Sequence, residues 1–401
     1  FTITLRIHVS SKRNDAKFLT ELVTEQQRLR CIPYFYIIGF PKCATTDLWD
    51  RLLLHPHIVA KHDKESHYID DKRFNNQWSF DKYLDYFSLT SDAISELCEN
   101  IQGQRRHSVS GFVSVILIKI LTKCAGEATA NTAAVNDLWY MLPENKGCTE
   151  PRITNPDYLY NINPEMRLIA LIRDPVERLW SDYLYLAKYF NYKTSPESFH
   201  QHAVDAIAIY DDCLKYFTPR GCAYNESIGS IQMRLRMGIY DIHVSDWLRI
   251  FPRKQLLIVR TEDYKKNTSV VLQRVFEHLD IDFPSKEIYE QMIMKSEKNV
   301  NIKSMDMLSE TREILYKFYA QSYENVASIL QDSNLVLKKP RWMISQQLLK
   351  DTVMKLFDKA ECFREISQIP RLVSMICKIR QIIRTCITDI QSKTNVLDWD
   401  Q

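Results

Sequence analysis

Tyr34-Phe35-Tyr36-Ile37-Ile38-Gly39-Phe40-Pro41-Lys42-Cys43-Ala44-Thr45-Thr46-Asp47-Leu48-Trp49 decides the fold class of this chain. Its first five residues are aromatic or β-branched, which suits a strand buried on both faces. Gly39-Phe40-Pro41 breaks the run. From Thr46 onward Leu48, Leu52 and Leu53 recur at helical spacing until His55-Pro56, with Thr45 or Thr46 available as N-cap and Asp47 well placed in the first turn. The stretch is a strand, a tight loop and a helix. Such a loop presents backbone N–H groups and the positive end of a helix dipole, so it is built to hold an anion, and Lys42 adds a mobile full charge. The nucleoside-triphosphatase loop GxxxxGK[ST] would need Gly at 44 and Lys at 45, where this chain has Ala44 and Thr45. The loop is of another type, and alone it also reads as an ordinary βα turn carrying a surface lysine.

A second unit of the same kind follows. Arg167 to Ile172 is a strand, Asp174 an N-cap, and Pro175 occupies the first helical position. Val176, Leu179, Trp180, Tyr183, Leu184 and Ala187 then form one apolar stripe. Arg173 stands at the strand end, Arg178 one turn into the helix and Ser181 three residues further on the same side, an arrangement able to grip a second anion. The alternative reading makes Asp174 and Arg178 only a cap and a surface ion pair. Val113 to Ile118 and Gln255 to Val259 have strand length and are separated by helical stretches. Strands alternating with helices predict an α/β fold, a mostly parallel central sheet covered on both faces in a three-layer sandwich.

Composition narrows the functional classes. The 401 residues carry 53 Lys plus Arg against 50 Asp plus Glu, a net +3 spread along the chain, which argues against a polybasic nucleic-acid binder. Any anion site is therefore local. With 8 Gly, 14 Pro and no internal repeat, collagen-like and low-complexity classes are excluded. The most apolar run, Phe112 to Leu121, is interrupted by Ser114 and Lys119 and falls well short of the roughly 20 residues that span a bilayer. Ten cysteines without a CxxC pair argue against a disulfide-dense scaffold and a structural zinc site. Asn225-Glu-Ser and Asn267-Thr-Ser are glycosylation sequons.

The chain opens on Phe1 rather than Met, so it is expected to be a fragment, with any signal or anchor upstream. Residues 1–33 read as a stem or linker, 34–334 as the α/β domain and 335–401 as a helical extension of unassigned role. That extension carries the stripe Leu372, Ile376, Ile379, Ile383, Cys386 and Ile390, the pattern of a docked or oligomerising helix more than of a membrane-surface one.

The two units, taken with Lys64-Glu65-Ser66-His67-Tyr68, GEATA at 126–130, GIYDIHVSDWLRIFP at 238–252 and LIVRTEDY at 257–264, closely resemble the carbohydrate sulfotransferase family. Its members use 3′-phosphoadenosine-5′-phosphosulfate (PAPS) as donor. The resemblance runs from about Tyr34 to Leu330 and is more specific for the sulfotransferase class than for the acceptor sugar. It implies that the first unit is a P-loop-like PAPS-binding strand-loop-helix, with Lys42, Cys43, Ala44, Thr45 and Thr46 at the 5′-phosphosulfate. It places Arg173 and Ser181 at the 3′-phosphate, and Lys303 in a late basic loop that closes over the donor.

By the same resemblance Glu65 falls on the acidic residue used as base, with His67 as a secondary catalytic candidate. The chemistry agrees: an unactivated sugar hydroxyl attacking sulfur must lose its proton, and Lys42 can neutralise charge on the departing bridging oxygen. No metal is required. The resemblance also implies a Cys213–Cys222 disulfide in an oxidising lumen, and a type II Golgi membrane protein whose anchor this chain lacks. The acceptor it implies is a sulfated glycosaminoglycan, expected at the 6-OH of N-acetylgalactosamine 4-sulfate in chondroitin or dermatan sulfate. A heparan-type or other carbohydrate acceptor, a non-catalytic polysaccharide-binding relative and a nucleotide kinase are the rivals; oligomeric state is left open, and nucleic acid is not an expected partner.

Overall fold

The computed structural model describes residues 31–59, 64–74, 78–89, 91–92, 124–228, 232–296 and 305–332. Most of the expected stem, the strand expected at Val113 to Ile118, Lys303 and the extension 335–401 lie outside the described residues.

Five parallel strands, β1 (Phe35–Gly39), β2 (Ile58–Val59), β3 (Cys124–Glu127), β4 (Arg167–Ile172) and β5 (Leu256–Arg260), form one sheet in the order β2-β3-β1-β4-β5. The register pairs Phe35 with Gly126 on one side and with Arg167 on the other, and runs from Leu168 opposite Leu256 to Ile172 opposite Arg260. Parallel neighbours need crossover connections, and helices flank the sheet in the α/β sandwich expected from the sequence. The main ones are α1 (Thr45–Leu52), α2 (Asn155–Ile162), α3 (Pro175–Phe190), α4 (Pro196–Cys213), α5 (Tyr240–Ile250), α6 (Thr268–Leu279), α7 (Lys286–Met294) and α8 (Ser309–Leu330). Among the described residues no helix is long and apolar enough to cross a membrane.

β1 is buried at all five positions, because both its faces are covered. It ends at Gly39, where a Cβ would lie 2.6 Å from the Ala133 Cβ and 2.7 Å from the Ala130 carbonyl oxygen. Only glycine permits that approach, which brings the segment after β3 against the start of the loop after β1. The pairing of β1 with β4 slips beyond Ile37, and the Ile38 carbonyl accepts from Ala133 N–H at 2.7 Å instead.

Helix α3 starts as the sequence predicts: the Asp174 carboxylate accepts from the Val176 and Glu177 amides, with Pro175 at the first turn. Five members of its stripe are buried, with Trp180 and Tyr183 against Phe199 of α4 at ring distances of 4.7 and 5.0 Å. Leu184 departs from the stripe: it is half-buried and faces the cleft described below. Helix α1 starts differently from expectation. Neither Thr45 nor Thr46 is the cap; Ala44 holds that position in the left-handed region (φ 64°, ψ 21°), and no side chain caps the turn.

The Cys213–Cys222 disulfide is present, its Cα atoms 5.9 Å apart, joining the end of α4 to a short helix at Pro219–Ala223. Closing so small a loop removes denatured-state entropy worth on the order of 2–3 kcal/mol. Replacing both cysteines with serine should lower the unfolding free energy by that amount, read as a fall in the urea midpoint. A midpoint unmoved by the double substitution would show that the link contributes nothing to stability.

Candidate active site

Because all five strands run the same way, the loops after β1, β3, β4 and β5 emerge at one edge of the sheet, where open α/β folds form their ligand crevices. There a cleft of about 610 Å³ is lined by Lys42, Ala44, Thr45 and Thr46 after β1 and by Arg173 and Ser181 after β4. Glu65, His67 and Arg234 also line it, with Thr261, Lys265 and Thr268 after β5. Residues far apart in sequence and singled out for their chemistry thus share one cavity.

The loop after β1 takes an unusual backbone course. Lys42 and Ala44 both take positive φ, 65° and 64°, a conformation that L-residues adopt only when the surroundings impose it. The Thr261 hydroxyl sits 3.0 Å from both the Cys43 and Ile172 carbonyl oxygens, tying the loop to β4 and β5. Arg173 donates to the Lys42 carbonyl at 3.3 Å, so the loops after β1 and β4 are joined directly. Lys42 is half-buried, and its ammonium lies 3.9 Å from the centre of the Tyr185 ring. Burial lowers its pKa to about 8.

Cys43 alone among the expected donor-contacting residues of this loop does not line the cleft. Its amide donates to the Phe40 carbonyl at 3.3 Å, and its side chain is fully buried, 3.9 Å from the Tyr240 hydroxyl. Burial pushes the thiol up to about 12, so it is neutral and inert at physiological pH.

The segment bearing Glu65 is more elaborate than its sequence suggests. Glu65 and His67 take φ of 74° and 53°. Beneath them, buried Thr129 accepts from the His67 amide at 3.4 Å and donates to the buried Glu127 carboxyl at 2.6 Å, while Glu127 also accepts from the Ser66 amide. Burial lifts the Glu127 pKa to about 7. Above this floor the His67 ring bridges two carboxylates, Nδ1 to buried Asp70 at 3.0 Å and Nε2 to Glu65 at 3.3 Å. Those partners, Asp70 first, outweigh desolvation and raise His67 to about 10, so it is cationic at neutral pH. Burial works to raise the pKa of Glu65, but the hydrogen bond from His67 and the charge of Lys64 outweigh it and hold the carboxylate at about 2. Lys64 ion-pairs with Glu65 and also lies 3.4 Å from the Thr45 hydroxyl, so it spans the gap between the carboxylate and the start of α1.

Arg178 does not act as either sequence reading proposed. It is neither on the surface nor in the cleft but fully buried, bonded to Asp182 at 3.1 Å and donating to the Arg234 carbonyl at 2.8 Å. Asp182, itself buried, also holds Arg234 through Nε at 2.8 Å, and that guanidinium reaches the cleft wall. Both Arg234 and Asp70 escaped the sequence reading. Asp70 follows His67 by three residues, a spacing that a search for carboxylates around the histidine would have found; Arg234 carries no local signal.

Known proteins resemble this chain over most of its length. The sulfotransferase domain profile matches residues 33–325. Carbohydrate sulfotransferase 15 of mouse and that of human are each 33% identical over 326 residues, covering 78% of this chain. The chain spans 55% of the length of each of these relatives. Among solved structures, a sulfotransferase from Alicyclobacillus acidocaldarius superposes with a TM-score of 0.48 at 18% identity, over 75% of this chain and 96% of that one.

Proposed function

The chain belongs to the sulfotransferase domain family, and on that premise we propose that it moves the sulfuryl group of PAPS to a sugar hydroxyl of a sulfated glycosaminoglycan. The relatives named carbohydrate sulfotransferase point to a saccharide acceptor, and the resemblance of the motifs points to the 6-OH of N-acetylgalactosamine 4-sulfate. The observation that carries the reading is the shared cleft: a lysine on an uncapped helix N-terminus, an arginine on a second loop and an ionised carboxylate all line one cavity.

The donor fits these residues. A helix start with no side-chain cap offers first-turn amides to an anion, and Lys42 and Thr45 stand beside it. Arg173 and Ser181 supply a second anion site on the same cleft, matching a nucleotide with phosphates at both ends of its ribose. PAPS brings a sulfuryl group already attached to a phosphate leaving group. Glu65 accepts the proton of the acceptor hydroxyl as its oxygen bonds to sulfur and the bond from sulfur to the bridging oxygen breaks. Lys42 offsets the negative charge left on that bridging oxygen, and adenosine 3′,5′-bisphosphate departs.

A carboxylate held near 2 is always ready to accept a proton but is weakly basic. Lys64 offers the remedy, since an anion beside Thr45 competes with Glu65 for its ammonium, and withdrawal of that charge raises the basicity of Glu65. Asp70 keeps the His67 ring aligned on Glu65, as a carboxylate aligns the histidine of a catalytic triad. The disulfide suits an oxidising lumen, consistent with a Golgi enzyme.

Incubation with labelled PAPS and a panel of desulfated and sulfated glycosaminoglycans, followed by disaccharide analysis, tests the acceptor. Label on the 6-position of N-acetylgalactosamine 4-sulfate is expected; label confined to heparan-type disaccharides would move the acceptor class, and saccharide binding without transfer would remove the enzymatic reading. Independently, Arg173→Ala should weaken adenosine 3′,5′-bisphosphate binding by about tenfold or more while changing adenosine 5′-phosphate binding less than about twofold. Equal losses for the two nucleotides would remove Arg173 from the 3′-phosphate.

A further inference from the structure

Helix α3 leaves the cleft wall with three large aromatic side chains that its core does not use. Tyr185, Tyr189 and Phe190 are 43%, 71% and 47% exposed, although helix α3 buries Trp180 and Tyr183 one turn earlier. Solvent-exposed aromatics grouped on one face are disfavoured in water unless something covers them. These three are not scattered. Tyr185 and Tyr189 are near-parallel, 24° apart with ring centres at 6.4 Å, and Phe190 meets Tyr189 edge-on at 4.9 Å. All three line the same cleft as Glu65, His67 and Arg173. The inner end of the row touches the chemistry itself, since the Lys42 ammonium rests on the Tyr185 ring.

We propose that Tyr189 and Phe190 form a stacking shelf for a galacto-configured sugar ring of the acceptor, one that guides the saccharide toward Lys42 and Glu65. The inference rests on the saccharide acceptor proposed above and adds the subsite that selects it. A galactopyranose has an axial 4-oxygen, which leaves C3–H, C4–H and C5–H together on the opposite face as an apolar patch of about the size of a phenyl ring. Such a patch packs flat on an aromatic ring through dispersion and the attraction of C–H dipoles to the π face. A 4-sulfate on the axial oxygen then points away from the shelf, and the cleft lining supplies cations for it, among them Arg234. A gluco-configured ring has an equatorial 4-oxygen and lacks that continuous patch, so the shelf discriminates between the two. The competing occupant is the donor adenine, which would also stack on these rings.

Equilibrium binding of a chondroitin 4-sulfate hexasaccharide to the full chain saturated with adenosine 3′,5′-bisphosphate separates these possibilities. For Tyr189→Ala and Phe190→Ala the hexasaccharide Kd should rise about tenfold, Tyr189→Trp should restore it, and the bisphosphate Kd should stay within about twofold, which also shows that the variants fold. The parent should bind an N-sulfated heparosan hexasaccharide, built from gluco-configured rings and matched in sulfate number, more weakly, with no further loss on Tyr189→Ala. An unchanged hexasaccharide Kd, or no binding by the parent, would overturn the shelf. A parallel loss of bisphosphate affinity would assign the rings to adenine instead. Absence of sulfuryl transfer by the parent, with hexasaccharide binding and its dependence on Tyr189 intact, would refute the proposed reaction and leave the shelf standing.

Discussion

Glu65→Gln is expected to keep the folded state and to retain or tighten adenosine 3′,5′-bisphosphate binding, since Lys64 loses its competing carboxylate, while lowering single-turnover sulfuryl transfer by roughly 10²–10⁴-fold, the usual worth of a positioned acid–base group. The amide keeps the shape of the side chain and its oxygen can still accept from Lys64 or His67, but it cannot take the acceptor proton. Asp70→Asn should have a milder effect of the same kind. It removes the charge that aligns His67 and keeps it cationic, so turnover falls about tenfold with donor affinity retained, and the lost His67 charge appears as a new dependence of rate on pH between about 6 and 10. The ordinary histidine value and the raised one set those limits: His67 is charged below both and loses its proton sooner once Asp70 no longer holds it. A Glu65→Gln rate within a fewfold of the parent would take Glu65 out of the reaction and leave His67 as the remaining candidate.

Lys42→Ala should differ in kind, impairing binding and turnover together. The ammonium stands at the anion loop in a half-buried setting, so its removal is expected to cost about 10–100-fold in bisphosphate affinity and a further 10²–10³-fold in transfer. Its depressed pKa supplies a signature that a structural role would not give. Lysine is charged below its pKa, an anionic ligand binds the charged form, and the pKa in the free protein is about 8. Bisphosphate affinity should therefore be flat below pH 8 and fall by up to tenfold per unit above it, whereas in Lys42→Ala it should stay flat across that range. Isothermal titration between pH 6.5 and 9.5 checks this. A parent profile flat to pH 9.5 would show that Lys42 does not meet the donor as its charged form.

The disulfide and the cleft illustrate two ways in which sequence informs structure. The Cys213–Cys222 pairing, implied by family resemblance alone, is present in the fold. The cleft instead gathers residues whose roles the motifs suggested separately and adds Arg234 to them, while Asp70, Thr129 and Glu127 support the segment that carries Glu65 and His67.

The strands β1, β4 and β5, the start of α3 at Asp174-Pro175 and the parallel α/β architecture were determined by the sequence itself. Each rests on local physics: a run of apolar residues buried on both faces, a side chain that caps the amides two and three residues on, a stripe at helical period. Other features depended on the tertiary structure. Arg178 and Ser181 lie on one side of a short helical stretch, yet one is locked to Asp182 in the core and the other faces the cleft, because α8 and the segment around Arg234 cover only part of that helix. Ala44 took the cap position from two threonines because the loop is pinned by Thr261 and Arg173, more than 120 residues away. Periodicity and capping act within a turn or two of the chain and so can be read along it. The partner of a buried charge and the exposure of an aromatic ring are set by whichever distant segment packs against them, and only sheet register and helix docking decide that.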